Sequence, residues 1–313
     1  MTDAASDSKA NPPELITPAH AARLMRWATY ASVTVAVSLI AVKSGAWYYT
    51  NSVSILTSLI DSLLDSGASI INLVAVRHAL TPADREHRFG HGKAESIAAL
   101  GQAAIIAGSA AFLLLQGGNR LMHPEPLAHT QTGVLVMVIS LVVTVGLLSF
   151  QRHVVKRTKS VAISADSLHY LSDLFTTAAV IVALLLSDYL GWKYADPVFA
   201  LAIAIYILYS AWRIAASAFD QIMDREFPDQ ERDRIRDVVM EHPEVLDMHD
   251  LRTRSSGTHS FIQLHLELDG KMTLERAHQI ADEVQMGLEK AFPEAEVLIH
   301  QDPEGLEEPP VFH

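Results

Sequence analysis

Long apolar segments dominate the first 220 residues of the chain. A membrane-spanning helix needs about 20 mostly apolar residues, and six segments of roughly this length follow one another. Isolated polar residues interrupt several of them, but none has the one-sided pattern of a soluble amphipathic helix along its whole length. Six such segments in succession favour membrane spans over the buried helices of a soluble core. The predicted spans are Leu24–Tyr49, Ser52–Leu80, Ser96–Gln116, Gly133–Phe150, Ile163–Leu190 and Pro197–Phe219.

The pattern changes after Phe219, where charged residues become frequent and the apolar runs become short. One stretch, FIQLHLEL, alternates with the period of a half-buried strand, and Ser256-Gly257 supplies a hairpin turn before it. Thr273 is suited to cap a helix. The order α-β-β-α-β predicts a small open-faced α+β sandwich that follows an all-α membrane domain of six helices. The predicted elements are a helix at 228–242, strands at 246–253 and 261–268, a helix at 273–291 and a strand at 297–300.

Lys and Arg indicate how the predicted spans are oriented. They cluster before the first span and in the second and fourth connections, whereas Arg120 and Lys193 are the basic residues of the other connections. By the positive-inside rule, both termini are cytoplasmic. The N-terminus is polar and lacks the apolar core of a signal peptide. We therefore expect a disordered leader at 1–20, a transmembrane domain at 21–220, a cytoplasmic metal-binding domain at 221–303 and a short C-terminal segment at 304–313.

Composition limits the chemistry that the chain can perform. It has no cysteine among 313 residues, which excludes disulfides, thiolate metal sites and iron–sulfur clusters. The net charge of −12 comes from residues 221–313, which hold 9 Lys and Arg against 22 Asp and Glu. This acidic region argues against nucleic-acid binding and favours the attraction of cations. A metal site in this chain must therefore use imidazoles and carboxylates, and the 15 histidines supply the former.

Two predicted spans carry ionisable side chains where a charge costs about 2.5–3.5 kcal/mol or more. Asp61 and Asp65 lie four residues apart, on one face of the second span. His169 and Asp173 repeat this spacing in the fifth. The sequence offers no intramembrane Lys or Arg to neutralise these pairs, because Lys43 lies near the outer end of its span, where it can snorkel.

Three carboxylates and an imidazole suit a tetrahedral divalent ion, zinc above all. Carboxylates this close repel each other unless a cation or a proton joins them. Polar contacts between helices and a proton relay are the alternatives for the same side chains.

Two further groups of possible ligands lie outside the spans. The second connection offers Asp84, His87 and His91 within eight residues, although a solvated loop with incidental histidines would have the same sequence. In the cytoplasmic domain, imidazoles and a carboxylate from different elements could hold one or two metals, and scattered surface histidines are the alternative. These residues are His249, His265, His278, His300 and Asp302.

The chain resembles the cation diffusion facilitator family, and closely its bacterial zinc and ferrous-iron efflux branch, from about residue 24 to residue 303. The resemblance implies a transport site at Asp61, Asp65, His169 and Asp173 and a second site in the loop. It also implies a paired-metal site in the cytoplasmic domain near a dimer interface, and contacts of Lys93 and Asp224 that join the two domains across the dimer. The motifs that carry it are LIDSLLDSGAS, FGHGKAES, ADSLHYLSD, MDREFPD, HDLRTRSSG, FIQLHLEL and IHQDP.

The function implied is that of a homodimeric antiporter of the bacterial inner membrane, not an enzyme. It would expel zinc, and also ferrous iron or cadmium, in exchange for protons, with zinc as both substrate and regulatory ion and with no organic cofactor. Metal and protons would compete for the same ligands during alternating access. A metal-gated channel, a membrane metalloenzyme and a metal receptor are the alternatives. The channel would need a continuous polar pore, the enzyme a nucleophile or an open ligand position, and the receptor would not need the intramembrane aspartates.

Overall fold

The structure is a computed structural model that describes residues 18–50, 53–122, 131–190 and 194–305, without the side chains of some helical residues, Asp61 among them. Most of the predicted leader and of the predicted C-terminal segment lies outside these ranges. Within these ranges six long helices come first, one at the place of each predicted span. They are α1 (Pro18–Thr50), α2 (Val53–Ala79), α3 (Lys93–Met122), α4 (Gln131–Thr158), α5 (Val161–Leu190) and α6 (Ala195–Ile222).

The prediction of six apolar spans needs a correction. Within the described ranges, four helices are long and apolar enough to cross a membrane, and α2 and α5 are not among them. These two helices carry the aspartates and the histidine of the predicted transport site, and part of each lies outside the described side chains, which shortens the apolar stretch that can be counted there. The four segments are Ala19–Tyr49, Lys93–Met122, Val138–Thr158 and Pro197–Ile222.

Helix α5 is the centre of the helical bundle, since it contacts each of the other long helices. Its first turns are nearly all buried, and Ala162 and Ala165 have no exposed surface. Small side chains let neighbouring helices approach closely, which is the usual basis of helix packing in membranes. The side chains of α5 are therefore positioned by contacts with all five other long helices.

The start of α5 is fixed by a buried carboxylate from α3. Glu95 accepts hydrogen bonds from the Ser160 hydroxyl and from the backbone N–H of Ala162, the latter at 3.2 Å. The Ser160 Oγ in turn accepts the backbone N–H of Ile163 at 3.1 Å, as an N-cap residue does. A negative charge at this end also complements the helix dipole. The first turn of α5 is thereby tied to the first turn of α3.

The cytoplasmic domain has the predicted order α-β-β-α-β. Its sheet has the order β1-β2-β3, with β1 and β2 antiparallel and β2 and β3 parallel. Leu264 and Leu266 on β2 pack with Leu288 of the second helix in a buried core. Thr273 caps that helix by accepting the Arg276 backbone N–H at 3.3 Å, as predicted. The elements are α7 (Asp229–Met240), β1 (Asp247–Ser256), β2 (His259–Leu268), α8 (Leu274–Ala291) and β3 (Ala295–Pro303).

The β1–β2 hairpin packs against the start of α3. Gly257 takes the turn with φ of 64°, a conformation that favours glycine. Opposite the hairpin, a Cβ atom on Gly92 would overlap the carbonyl oxygen of Ser256. The two domains therefore touch through backbone atoms at a point where there is no room for a side chain.

We expect Gly92→Ala to separate the hairpin from the membrane domain, because the added methyl group must displace the Ser256 carbonyl. Amide hydrogen exchange of residues 254–260 in the full chain should become faster. Gly101→Ala is the matched control, since no atom lies within 4 Å of the Cβ it would add. Equal exchange in the two variants would contradict this close contact.

Candidate metal-binding sites

Helices α2 and α5 bring together three residues of the predicted transport site. Asp65 Oδ1 lies 2.9 Å from His169 Nε2, and Asp173 Oδ2 lies 3.9 Å from the same nitrogen. One ligand atom of each residue lies within 4.8 Å of the others, close enough to share an ion. Asp61 precedes Asp65 by one helical turn, but its side chain is outside the description. We call this group, together with Asp61, the membrane site.

A cavity of about 210 Å³ adjoins the membrane site and is lined by Asp65 and Asp173. Lys43 of α1 lines it as well, and its Nζ donates a hydrogen bond to Ser62 Oγ on α2 at 2.6 Å. The expectation that no cation would lie near the aspartates, and that Lys43 would only snorkel, was wrong. Lys43 brings a positive charge to the same space in which a metal ion would enter.

Asp166 is a buried carboxylate that the sequence analysis missed. It is 1% exposed, lies one turn before His169 and accepts hydrogen bonds from residues of three other helices. Gln151 Nε2 donates at 2.7 Å, Gln102 Nε2 lies at 3.4 Å, and the Ser32 hydroxyl also donates. Neutral donors thus satisfy this carboxylate behind the membrane site. The spacing Asp166, His169, Asp173 was the available signal, because i, i+3 and i+7 share one helix face.

The loop before α3 brings together Asp84, His87 and His91, which we call the loop site. Asp84 Oδ2 lies 3.4 Å from His91 Nε2, and Asp84 Oδ1 lies 3.5 Å from His87 Nδ1. The Asp84 pKa is lowered, first by the backbone N–H of His87, which donates to the carboxylate at 2.6 Å, and then by the Glu86 N–H and the two imidazoles. Asp84 therefore stays ionised, which is the form that binds metal.

The sheet of the cytoplasmic domain aligns three histidines in one row. His249 pairs with His265 across β1 and β2, and His265 pairs with His300 across β2 and β3. The carboxylate of Asp302, which is 4% exposed, faces all three, with distances of 3.3 Å to His249, 2.8 Å to His265 and 3.2 Å to His300. We call these four residues the sheet site.

His278 is not brought to the sheet site within one chain. It is exposed on α8, where its Nε2 lies 3.6 Å from the Asp282 carboxylate. Asp250 was not predicted, although its carboxylate lies 3.8 Å from His265 Nε2. A register shift between His249 and Arg252 and a φ of 45° at Asp250 place it there. Such an irregularity of the strand has no simple signal in the sequence.

Lys93 and Asp224 form a contact between the two domains, at 2.9 Å within one chain. The resemblance implied contacts of this pair across a dimer, and the structure places them in the same chain. Arg254 also lies 3.6 Å from Asp224. Its guanidinium lies over the rings of both Phe89 in the loop and Phe261 on β2, 4.4 and 4.6 Å from their centroids. The loop and the cytoplasmic domain are thus joined by charge and by ring stacking.

Comparison with known proteins gives matches over nearly the whole chain. Residues 29–223 match the cation efflux transmembrane domain, and residues 227–304 match the cytoplasmic domain of cation efflux proteins. The cation-efflux pump FieF of Escherichia coli (strain K12 / DH10B) is 50% identical over 281 residues, which are 90% of this chain and 93% of that protein.

Solved structures match the cytoplasmic domain region. The Zn form of CzrB has 38% identity and covers 28% of this chain and 99% of its own, with a TM-score of 0.26. The metal-bound C-terminal domain of the CzcD transporter from Thermotoga maritima has 32% identity and covers 26% of this chain and 100% of its own, with a TM-score of 0.25.

We expect Lys43→Gln to raise the zinc affinity of the membrane site by about tenfold or more, because it removes a positive charge that opposes a cation in the cavity. Calorimetry on the full chain should measure this after His91→Ala and His265→Ala have removed the other two sites. Lys43→Arg keeps the charge and should bind zinc as the parent does. Equal affinity in the Gln variant and the parent would show that the Lys43 charge does not act on the site.

Proposed function

Because the chain belongs to the cation efflux family, whose members transport divalent metal cations, we propose that it exports zinc from the bacterial cytoplasm in exchange for protons. The observation that carries this proposal is the membrane site, in which Asp65, His169 and Asp173 gather beside a cavity. Charged side chains in the membrane interior mark ion pathways when they have no purely structural partner. The family is one of transporters rather than enzymes.

Zinc is the cargo that this ligand set favours. One imidazole with carboxylates provides the nitrogen and oxygen donors of four-coordinate zinc sites. His169 supplies one nitrogen in a fixed direction, while Asp65 and Asp173 can each adjust between one and two oxygens. Ferrous iron and cadmium are other divalent ions that such donors accept. Asp61, one turn away on α2, is proposed as the fourth ligand.

Proton exchange follows from competition for these ligands. A carboxylate or imidazole that holds a proton cannot hold the metal at the same atom. Facing the cytoplasm, the site would load zinc and lose protons, and facing a more acidic exterior it would take protons and release zinc. Return of the empty site would then require protons, because unpaired carboxylates are costly in hydrocarbon. Lys43, which lines the cavity, would lower that cost by supplying a nearby positive charge.

We place both termini in the cytoplasm and the protein in the inner membrane. The second connection contacts the cytoplasmic domain, because Phe89 lies 5.5 Å from Phe261 between ring centroids. The basic second connection and the C-terminal domain are therefore on the same side of the bundle. The positive-inside rule assigns that side to the cytoplasm.

Regulation by the sheet site is the second part of the proposal. Cytoplasmic domains of this family form dimers, and we propose that this chain is a homodimer in which zinc at the sheet site favours a transport-competent state. His278, exposed on α8, is proposed to join that metal site at the dimer interface. Arg254, which lies over the rings of Phe89 and Phe261, would carry the change to the loop and to α3.

Asp173→Asn tests the transport mechanism. The amide keeps the shape of the side chain but cannot ionise, so it weakens metal binding and removes a proton-binding group. We expect zinc uptake into proteoliposomes to fall to the background rate. Asp229→Asn, which changes an exposed carboxylate at the start of α7, should transport as the parent does. Zinc flux near the parent rate in Asp173→Asn would disprove the site, and flux that ignores an imposed pH gradient would indicate a channel.

Arg254→Lys tests the coupling between domains. Lysine keeps the charge beside Asp224 but lacks the planar group that stacks on two rings. Transport in this variant should become less dependent on metal binding to the sheet site. When uptake is measured as a function of free zinc concentration, its activation by zinc should fall several-fold, while the basal flux persists. Arg236→Lys, an exposed arginine paired with Asp247, is the control. Activation equal to that of the parent would exclude this route.

A further inference from the structure

His78 extends the loop site from the end of α2. It lies in the last turn of that helix, and its ring is 4.6 Å from the ring of His91 between centroids. The ring of His87 lies 4.6 Å from His91 as well. His91 thus contacts two further imidazoles in addition to the carboxylate of Asp84. The sequence analysis assigned no role to His78.

His91 has an unsatisfied nitrogen in this group. Its side chain is 7% exposed, and its Nε2 faces the Asp84 carboxylate at 3.4 Å. Its Nδ1 is buried and makes no hydrogen bond within the described part of the protein. A metal ion shared with Asp84 would bind the Nε2 that faces this carboxylate, with the imidazole proton on Nδ1. His91 therefore has the environment of a metal ligand rather than of a packed core residue.

The loop site on its own provides three ligand residues, Asp84, His87 and His91. Three protein ligands leave a zinc ion with an open position, whereas four close the site. We propose that His78 supplies the fourth ligand and makes the loop site a closed, structural zinc site. This inference rests on the proposed function only in that the loop site binds the metal that the protein transports.

The position of His78 makes it suitable as that ligand. Its side chain is exposed at the helix end, so the ring can turn toward the ion without displacing core residues. The Thr81 hydroxyl donates to the His78 carbonyl at 2.6 Å and closes the last turn of α2, which fixes the backbone from which the ring reaches. The ligands then come from both the helix and the loop that follows it.

A four-ligand site at this position has a consequence for the membrane site. Helix α2 carries Asp61 and Asp65, and the loop contacts the cytoplasmic domain through Phe89. Zinc held by His78 and the loop would cross-link the cytoplasmic end of α2 to that contact. A closed site also retains its ion, so this zinc would hold the helix end in place and would not be passed to the cavity.

The test uses Co²⁺ as a spectroscopic probe in the full chain. Asp65→Ala with His169→Ala, and His249→Ala with His265→Ala, remove the membrane and sheet sites and leave the loop site. Four-coordinate Co²⁺ absorbs visible light much more strongly than five- or six-coordinate Co²⁺. We expect this parent to show the strong bands of four-coordinate Co²⁺ and to bind Zn²⁺ in competition with it. In a parallel sample, Asp84→Ala should abolish the bands.

His78→Gln in the same parent is the decisive variant, and His153→Gln, an exposed histidine on α4, is the matched control. His78→Gln should shift the bands, because water replaces a nitrogen ligand, and should weaken Zn²⁺ binding by about tenfold or more, since even residues that only orient a ligand contribute roughly 10–100-fold. The control should match the parent. Bands and affinity unchanged in His78→Gln, or no Co²⁺ bound by the parent at all, would overturn the proposal. Zinc uptake by the otherwise unmodified chain, measured separately, decides the transport function independently of either result.

Discussion

The hydrogen bonds of Glu95 to the beginning of α5 determine where the central helix of the protein lies. Glu95 is in the first turn of α3, and through Ser160 and Ala162 it holds the end of the helix that carries His169 and Asp173. The preceding glycine of the same segment, Gly92, packs against the hairpin of the cytoplasmic domain. One short segment therefore sets the position of the proposed metal ligands His169 and Asp173 and of the cytoplasmic domain.

The cost of burying charge explains much of the remaining arrangement. Each described carboxylate in the bundle near the membrane site has a defined set of partners: Asp166 has two glutamine amides and a serine hydroxyl, and Asp65 has the imidazole of His169. Neutral donors from three helices hold Asp166 in place. Asp65 and Asp173, by contrast, face a cavity, where a proton, a metal ion or Lys43 can balance their charge.

Much of this organisation could be predicted from the sequence, because the spacing of apolar residues indicates helices and strands directly. The positions of the helices, the α-β-β-α-β order and the Thr273 cap are confirmed, as is the half-buried alternation of FIQLHLEL. Within the described residues four helices, not six, are long and apolar enough to cross a membrane, because parts of α2 and α5 lie outside the described side chains.

Contacts between elements were harder to predict. Alternation places His265 on one face of a strand, but only the register of three strands puts His249 and His300 beside it. Lys43 was missed because its neighbour across the bundle, Ser62, belongs to a different helix. Asp250 depends on a local irregularity of β1, and His278 lies exposed on α8 instead of at the sheet site. Single-chain periodicity contains no information about any of these relationships.

The contact between Gly92 and the hairpin also limits how proteins of this kind can be recombined. Because backbone meets backbone there, the fit depends on the path of the main chain and cannot be adjusted by choosing another side chain. A chimera that joins this transmembrane domain to a foreign cytoplasmic domain would need the foreign hairpin to turn at the same place, with a glycine in the position of Gly257. A domain exchange must therefore keep Gly92 matched to the hairpin turn at Gly257, so the two domains cannot be chosen independently.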